Sequence, residues 1–259
     1  VAAQEGAGAA MGPPKVLVIM REFLKPGKAG SAHEKTESAF VSAMTAAKWP
    51  THYLAMDSLS GPSRSLFFVG YDSFASWEKD NLAMQKNATL AAAMDRASLA
   101  DGELLSRYET AVFLYNEEYS LRTSVNIGEM RYMEITGFKI REGHRKEWDA
   151  LVKMYKSGYE KAVPEARWAV FEGMYGSEMS FLVMTPMKSA SEVDGELAAD
   201  KKFRSSMSES DAAKASELAA ACIESSQSNL FMFNPKLSYP AESVVKADPA
   251  FWNQKAMAK

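Results

Sequence analysis

Apolar strands, hairpins and amphipathic helices follow one another along this chain in an order that occurs twice. The run Val16-Leu17-Val18-Ile19-Met20 is apolar at every position and rich in β-branched residues, the pattern of a strand buried on both faces. Pro26-Gly27 marks a turn. Ser31, with Glu34 three residues on, predicts an N-cap and capping box for a helix. That helix places Phe40, Met44 and Ala47 on one face and ends before Pro50. Strands over 52–56 and 65–71 flank Ser60-Gly61-Pro62-Ser63 and read as a hairpin. A helical region over 73–108, broken near Asn87 and again near Asp101-Gly102, leads to a closing strand over 111–116.

The second half follows the same plan. A strand over 131–136 leads through Arg141-Glu142-Gly143 to a helix with Trp148, Leu151, Val152, Tyr155 and Tyr159 on one face. Strands over 167–172 and 180–184 form a hairpin, 189–223 reads as helical, and 230–234 closes the half. Gly61 matches Gly176, Phe67 matches Phe181, Val69 matches Val183, Asp80 matches Asp194 and Asn116 matches Asn234, at an offset of about 113–118 residues. The expected organisation is a disordered segment over 1–14, a first repeat over 15–120, a linker over 121–129, a second repeat over 130–239 and a tail over 240–259.

A βαββαβ unit forms a four-stranded antiparallel sheet with both helices on one face, the ferredoxin-like arrangement. Its other face is apolar here and must be covered. The predicted fold class is therefore α+β, with the sheets of two ferredoxin-like repeats packed face to face as an intramolecular α+β barrel. The stretch 20–28 (Met-Arg-Glu-Phe-Leu-Lys-Pro-Gly-Lys), the stretch 131–148 with Gly143 in its turn, and the segment 77–90 resemble the dimeric α+β barrel superfamily near its NIPSNAP-like branch. The resemblance spans about 15–239 and implies a barrel that relatives build from two chains. Known members include heme-degrading oxygenases, cofactor-free monooxygenases, chlorite-decomposing heme enzymes, isomerases and proteins of unknown role, so the fold does not name a reaction.

Composition narrows the classes. Of 259 residues, 47% are hydrophobic and 24% charged, with a formal net charge of -3, which gives no electrostatic footprint for nucleic acid. No window approaches the roughly 20 apolar residues of a membrane-spanning helix. The single Cys222 sits in an Ala-rich helical stretch and reads as a small buried apolar residue. The Ala/Gly-rich start at Val1 suggests a mature exported protein after signal-peptide removal, with truncation as the alternative.

Candidate chemistry is sparse. Glu134 is a carboxylate in mid-strand, and alternation turns Tyr132, Glu134 and Thr136 toward the expected space between the sheets, with Arg167, Arg131 or Arg21 as partners. His52 and Tyr53 lie at a strand start beside Trp49, and Arg167 and Trp168 open the matching strand. Trp49, Tyr53, Trp168, Phe171 and Tyr175 read as core aromatics. His33 and His144 each sit near a helix start and read as exposed helix-end residues, so no metal site is expected. Heme, through His52, is a minor alternative that would need an open cavity above the ring. The leading expectation is a small, largely apolar ligand held between the sheets by Glu134, Tyr132, Thr136, His52, Tyr53, Arg167 and Trp168, in a monomer or weak homo-oligomer. The alternatives are an exported protein-interaction module that uses Phe251 and Trp252 of the tail, and an oxygenase-like enzyme.

Overall fold

The computed structural model describes residues 12–254. The first half comprises β1 (Val16–Leu24), α1 (Ser31–Ala47), β2 (Tyr53–Ser58), β3 (Arg64–Tyr71), α2 (Phe74–Lys86), α3 (Ala88–Gly102) and β4 (Leu105–Leu121). The second comprises β5 (Tyr132–Ile140), α4 (Arg145–Ala162), β6 (Trp168–Tyr175), β7 (Phe181–Met187), α5 (Glu192–Ser206), α6 (Glu209–Cys222) and β8 (Ile223–Phe233). Two short helices follow, α7 (Glu242–Ala247) and α8 (Pro249–Trp252). The expected segment 1–14 falls mostly outside the described residues, as does the end of the tail.

Each half forms a sheet in the order β4-β1-β3-β2 or β6-β7-β5-β8, and the two sheets join edge to edge into one closed antiparallel barrel. One seam pairs β4 with β6, with Tyr115 opposite Phe171; the other pairs β2 with β8, with Met56 opposite Phe233. Closure gives all four sheet edges a backbone partner, so no row of strand N–H and C=O groups is left exposed. Gly61 and Gly176 occupy corresponding β-hairpin turns with positive φ (+74° and +67°), which a side chain rarely adopts.

Alternation sorts each strand between two apolar layers. Leu17, Ile19, Met56, Leu66, Phe113, Met133, Ile135, Phe171, Leu182, Met184, Phe231 and Phe233 point into the barrel and fill it. Val16, Val18, Phe67, Val69 and Val112 point outward to helices α1 and α3, while Val170 and Phe181 meet Trp148, Leu151 and Leu218 of α4 and α6. Val244, Trp252 and Met130 close one end of the barrel. Trp252 is 4% exposed and its Nε1 donates to the Gly128 carbonyl at 2.7 Å. The described part of the tail, through residue 254, therefore packs on its own barrel, with Trp252 buried there and not presented as a free attachment residue.

Local boundaries differ from expectation in three places. Helix α1 starts at Ser31 itself, behind Gly30 (φ 76°), and no side chain caps it. Glu34, expected in a capping box, instead accepts from Lys236 Nζ at 2.9 Å. Strands β4 and β8 begin at Leu105 and Ile223, earlier than their apolar cores, because ladder pairing with β1 and β5 carries the polar flanks into the sheet. The helical stretch before β8 is split by Met207, with the Ser208 side chain capping α6. The break at Asn87 falls where expected, and the Asn87 side chain accepts from Leu90 N–H to start α3.

Candidate metal centre

The barrel interior, where a ligand was expected between the sheets, is occupied by the apolar side chains named above. Two cavities, of about 290 and 400 Å³, are open clefts on the outer surface, and no histidine borders either of them. Tyr132, Glu134 and Thr136 face the helix layer, not the interior, a reversal of the expected phase. Both faces of β5 are covered, so period-two alternation could not tell inside from outside.

The expected site residues are consequently dispersed. Glu134 shares a hydrogen bond with Glu196 of α5. Thr136 Oγ1 lies 2.7 Å from Ser228 Oγ. Arg167 pairs with Glu192 at 2.8 Å, Arg131 with Asp248, and Arg21 lies 3.6 Å from Glu109, so none of the three takes Glu134 as its ion-pair partner. Trp168 donates through Nε1 to the Tyr119 carbonyl at 2.9 Å, and its ring meets Tyr159 edge to face. His52 lies against Tyr239 with ring centroids 4.6 Å apart; burial pushes its imidazole below the usual histidine range. Trp49, Tyr53 and Phe171 are core as expected, Trp168 is half-buried, and Tyr175 is exposed.

The concentration of chemistry lies elsewhere, between the outer face of the first sheet and helices α1 and α3. Val16, Val18 and Met20 of β1 face these helices, and the same alternation brings Glu22 to that layer. Helix α1 presents His33 and, one turn later, Glu37 on the same face. Packing of α3 on α1 delivers Asp101 from its last turn, where Thr36 Oγ1 donates to Asp101 Oδ1 at 2.6 Å. His33 Nε2 then lies 2.9 Å from Glu22 Oε2, 3.6 Å from Asp101 Oδ1 and 3.9 Å from Glu37 Oε1. One ligand atom from each of the four residues falls within 4.8 Å of the others.

All four residues are buried; His33 and Asp101 are each 2% exposed and Glu37 3%. His33 is thus not the exposed helix-end residue the sequence suggested, whereas His144 is, at 41% side-chain exposure. The signal available in the sequence was the His33–Glu37 spacing of four on a helix; Glu22 and Asp101 join only through tertiary packing.

Charge balance in this pocket is poor. Three carboxylates face a single histidine, and Asp57 stands behind them. Burial first, then the charges of Glu22, Asp101 and Asp57, push the Glu37 carboxyl well above the usual range. Burial also raises Glu22, opposed by its hydrogen bond with His33. Glu37 Oε1 is fully buried and accepts no hydrogen bond, and the Tyr53 hydroxyl nearby is likewise buried without a partner. The Tyr53 phenol is pushed strongly upward by burial and by the charges of Glu37 and Glu22. Asp101 also sits at a helix C-terminus, where the helix dipole disfavours negative charge.

Both ring nitrogens of His33 face a polar neighbour. Ser65 Oγ donates its one proton to Asp57 Oδ1 at 2.5 Å, and Asp57 also accepts from Asn234 Nδ2 at 2.7 Å. Ser65 Oγ is therefore an acceptor toward His33 Nδ1, 3.4 Å away. Nε2 faces the three carboxylates, with Glu22 Oε2 at hydrogen-bond distance, 2.9 Å; a metal ion bound there would take the place of the hydrogen on that nitrogen while Ser65 keeps the ring oriented. Separations of 2.9–3.9 Å around Nε2 suit donors that share one ion at bond lengths of about 2.0–2.2 Å.

No family model and no curated protein matches the chain. Solved structures do. An anthrone oxidase-like protein aligns with a TM-score of 0.53 at 16% identity, over 88% of this chain and 95% of its own. A proposed monooxygenase from Fusobacterium nucleatum aligns with a TM-score of 0.53 at 10% identity, over 86% of this chain and 94% of its own. A proposed chlorite dismutase aligns with a TM-score of 0.53 at 11% identity, over 91% and 99%. The fold is that of the dimeric α+β barrel proteins. At these identities the likeness concerns the path of the backbone and not the chemistry. Among the described residues no helix is long and apolar enough to cross a membrane.

Proposed function

We propose that this α+β barrel protein binds one divalent metal ion through Glu22, His33, Glu37 and Asp101. The observation that carries the reading is the buried, unpartnered Glu37 Oε1 turned toward His33 Nε2. A buried carboxylate oxygen with no donor is costly, and a cation at the centre of the four donors would relieve it while neutralising the excess negative charge. Three carboxylates and one imidazole, without a thiolate, form a donor set suited to Mn²⁺, Fe²⁺ or Zn²⁺. The Asp57–Ser65 pair orients the imidazole through Nδ1, so that Nε2 would be its ligating atom, and Thr36 fixes the Asp101 carboxylate. The same reading takes the chain as a tandem duplication near the NIPSNAP-like branch, supported by the shared element order and the matching Gly61 and Gly176 turns. Among the described residues no second group of this kind occurs; the matching helix–sheet layer of the second half holds Phe138, Trp148 and Phe181 in ring contact. The centre therefore belongs to the first repeat alone.

The test is titration of the EDTA-treated chain with Mn²⁺ by electron paramagnetic resonance and with Zn²⁺ by calorimetry. The expected result is one saturable site per chain that is lost in Asp101→Asn and His33→Gln. Folded protein that takes up neither ion, or variants that bind as well as the wild type, would overturn the reading.

A further inference from the structure

The barrel end opposite the Trp252 cap carries an unbalanced charge of the other sign. Arg21 follows Ile19 on the inward-facing side of β1, one residue before Glu22 turns outward to the helix layer. In the barrel register Arg21 lies opposite Leu66 of β3 and Glu109 of β4, and the next inward residue, Phe23, lies opposite Arg64 and Arg107. Three guanidinium groups are thereby brought to one mouth. Arg64 sits 5.0 Å over the ring of Phe231, which belongs to the barrel interior, and Arg107 sits 3.9 Å over the ring of Phe23.

The acceptors available to these groups are few. Arg107 Nε is 3.0 Å from Glu109 Oε1, while Arg21 Nη1 approaches the other oxygen of the same carboxylate only to 3.6 Å, beyond hydrogen-bond range. Arg64 Nη1 donates to the Pro62 carbonyl at 3.2 Å. Arg21 Nε is buried and has no acceptor. Burial and mutual repulsion disfavour the charge on both Arg21 and Arg64, with Glu109 and, for Arg21, Glu178 of the β6–β7 hairpin opposing. A guanidinium is a planar fork that stays charged and is matched by a planar or tetrahedral oxyanion. Aromatic rings at Phe23 and Phe231 supply an apolar floor beneath the forks.

We infer that this mouth binds the oxyanion group, a carboxylate or a phosphoryl group, of a small molecule, held by Arg21 and Arg64 with Glu109 as the internal competitor that it displaces. The inference is independent of the metal centre, which lies on the other side of the sheet.

The experiment titrates inorganic phosphate and, separately, benzoate into the full chain in the presence of EDTA, so that no bound metal contributes. The readout is the Arg Nε–H resonances in NMR spectra. A saturable shift of the Arg21 Nε–H with either probe supports the site; phosphate alone marks a phosphoryl ligand, and benzoate alone a carboxylate resting on the aromatic floor. Arg21→Gln and Arg64→Gln each weaken binding about tenfold. Glu109→Gln is the discriminating variant: removing the competing carboxylate from a partly exposed position leaves the fold intact and tightens binding several-fold. No saturable shift with either probe, or an affinity unchanged by Glu109→Gln and Arg21→Gln, overturns the inference.

Discussion

Replacing Glu37 by Gln separates a metal site from a merely buried polar cluster, because the two accounts predict opposite signs. Glu37 is 3% exposed, its Oε1 accepts no hydrogen bond, and three further carboxylates act on it through Glu22, Asp101 and Asp57. Glutamine keeps the shape and removes the charge. Without metal, the variant is therefore at least as stable as the wild type, with a gain of up to about 3 kcal/mol from relieving an unpaired buried group. With metal the order reverses. An ion present at 100 times its Kd stabilises the wild type by about 2.7 kcal/mol. For a chain of this size that raises Tm by about 5–11 °C. Loss of one carboxylate ligand, taken as about 10–100-fold in affinity, leaves about 0.4–1.4 kcal/mol at the same metal concentration. The corresponding Tm rise is about 1–6 °C. Differential scanning calorimetry of both proteins, with EDTA and with Mn²⁺, reads all four states. If Glu37→Gln lowers the Tm of the metal-free protein while the Mn²⁺-induced rise stays the same size, Glu37 is a structural hydrogen-bonding residue and the metal argument fails.

Other consequences concern parts of the molecule outside this centre. The Glu196 carboxyl, raised to about 8 by burial and by its hydrogen bond and charge interaction with Glu134, binds its proton more tightly in the folded chain than at its ordinary value near 4.5. The stability it contributes is complete below that ordinary value and is lost as pH climbs through about 8, so urea midpoints should fall over this window and Glu196→Gln should flatten the fall. Trp252→Ala uncovers the barrel end beside Phe233 and should cost about 3–5 kcal/mol in urea unfolding; an unchanged midpoint would show that the cap contributes nothing. Gly176→Ala places a methyl group against the Thr110 carbonyl at a position with φ of +67°, and should destabilise the chain by about 1–3 kcal/mol, measured by the same unfolding curves.

Local chemistry was enough to order the elements of this protein. Apolar runs such as Val16–Met20, the hairpins around Gly61 and Gly176, and the Asn87 helix break are set by residues close together in the chain, and their order occurring twice pointed to paired sheets. What the sequence could not decide is the phase of a strand covered on both faces: Met133 and Ile135 enter the barrel while Tyr132, Glu134 and Thr136 meet helices, since either assignment buries apolar surface. Nor could it find the acid cluster. His33 and Glu37 are neighbours on one helix, but Glu22 comes from a strand and Asp101 from the end of another helix. Only the packing of α1 and α3 on the sheet brings the four together, and only that packing removes the water that would otherwise screen their charges.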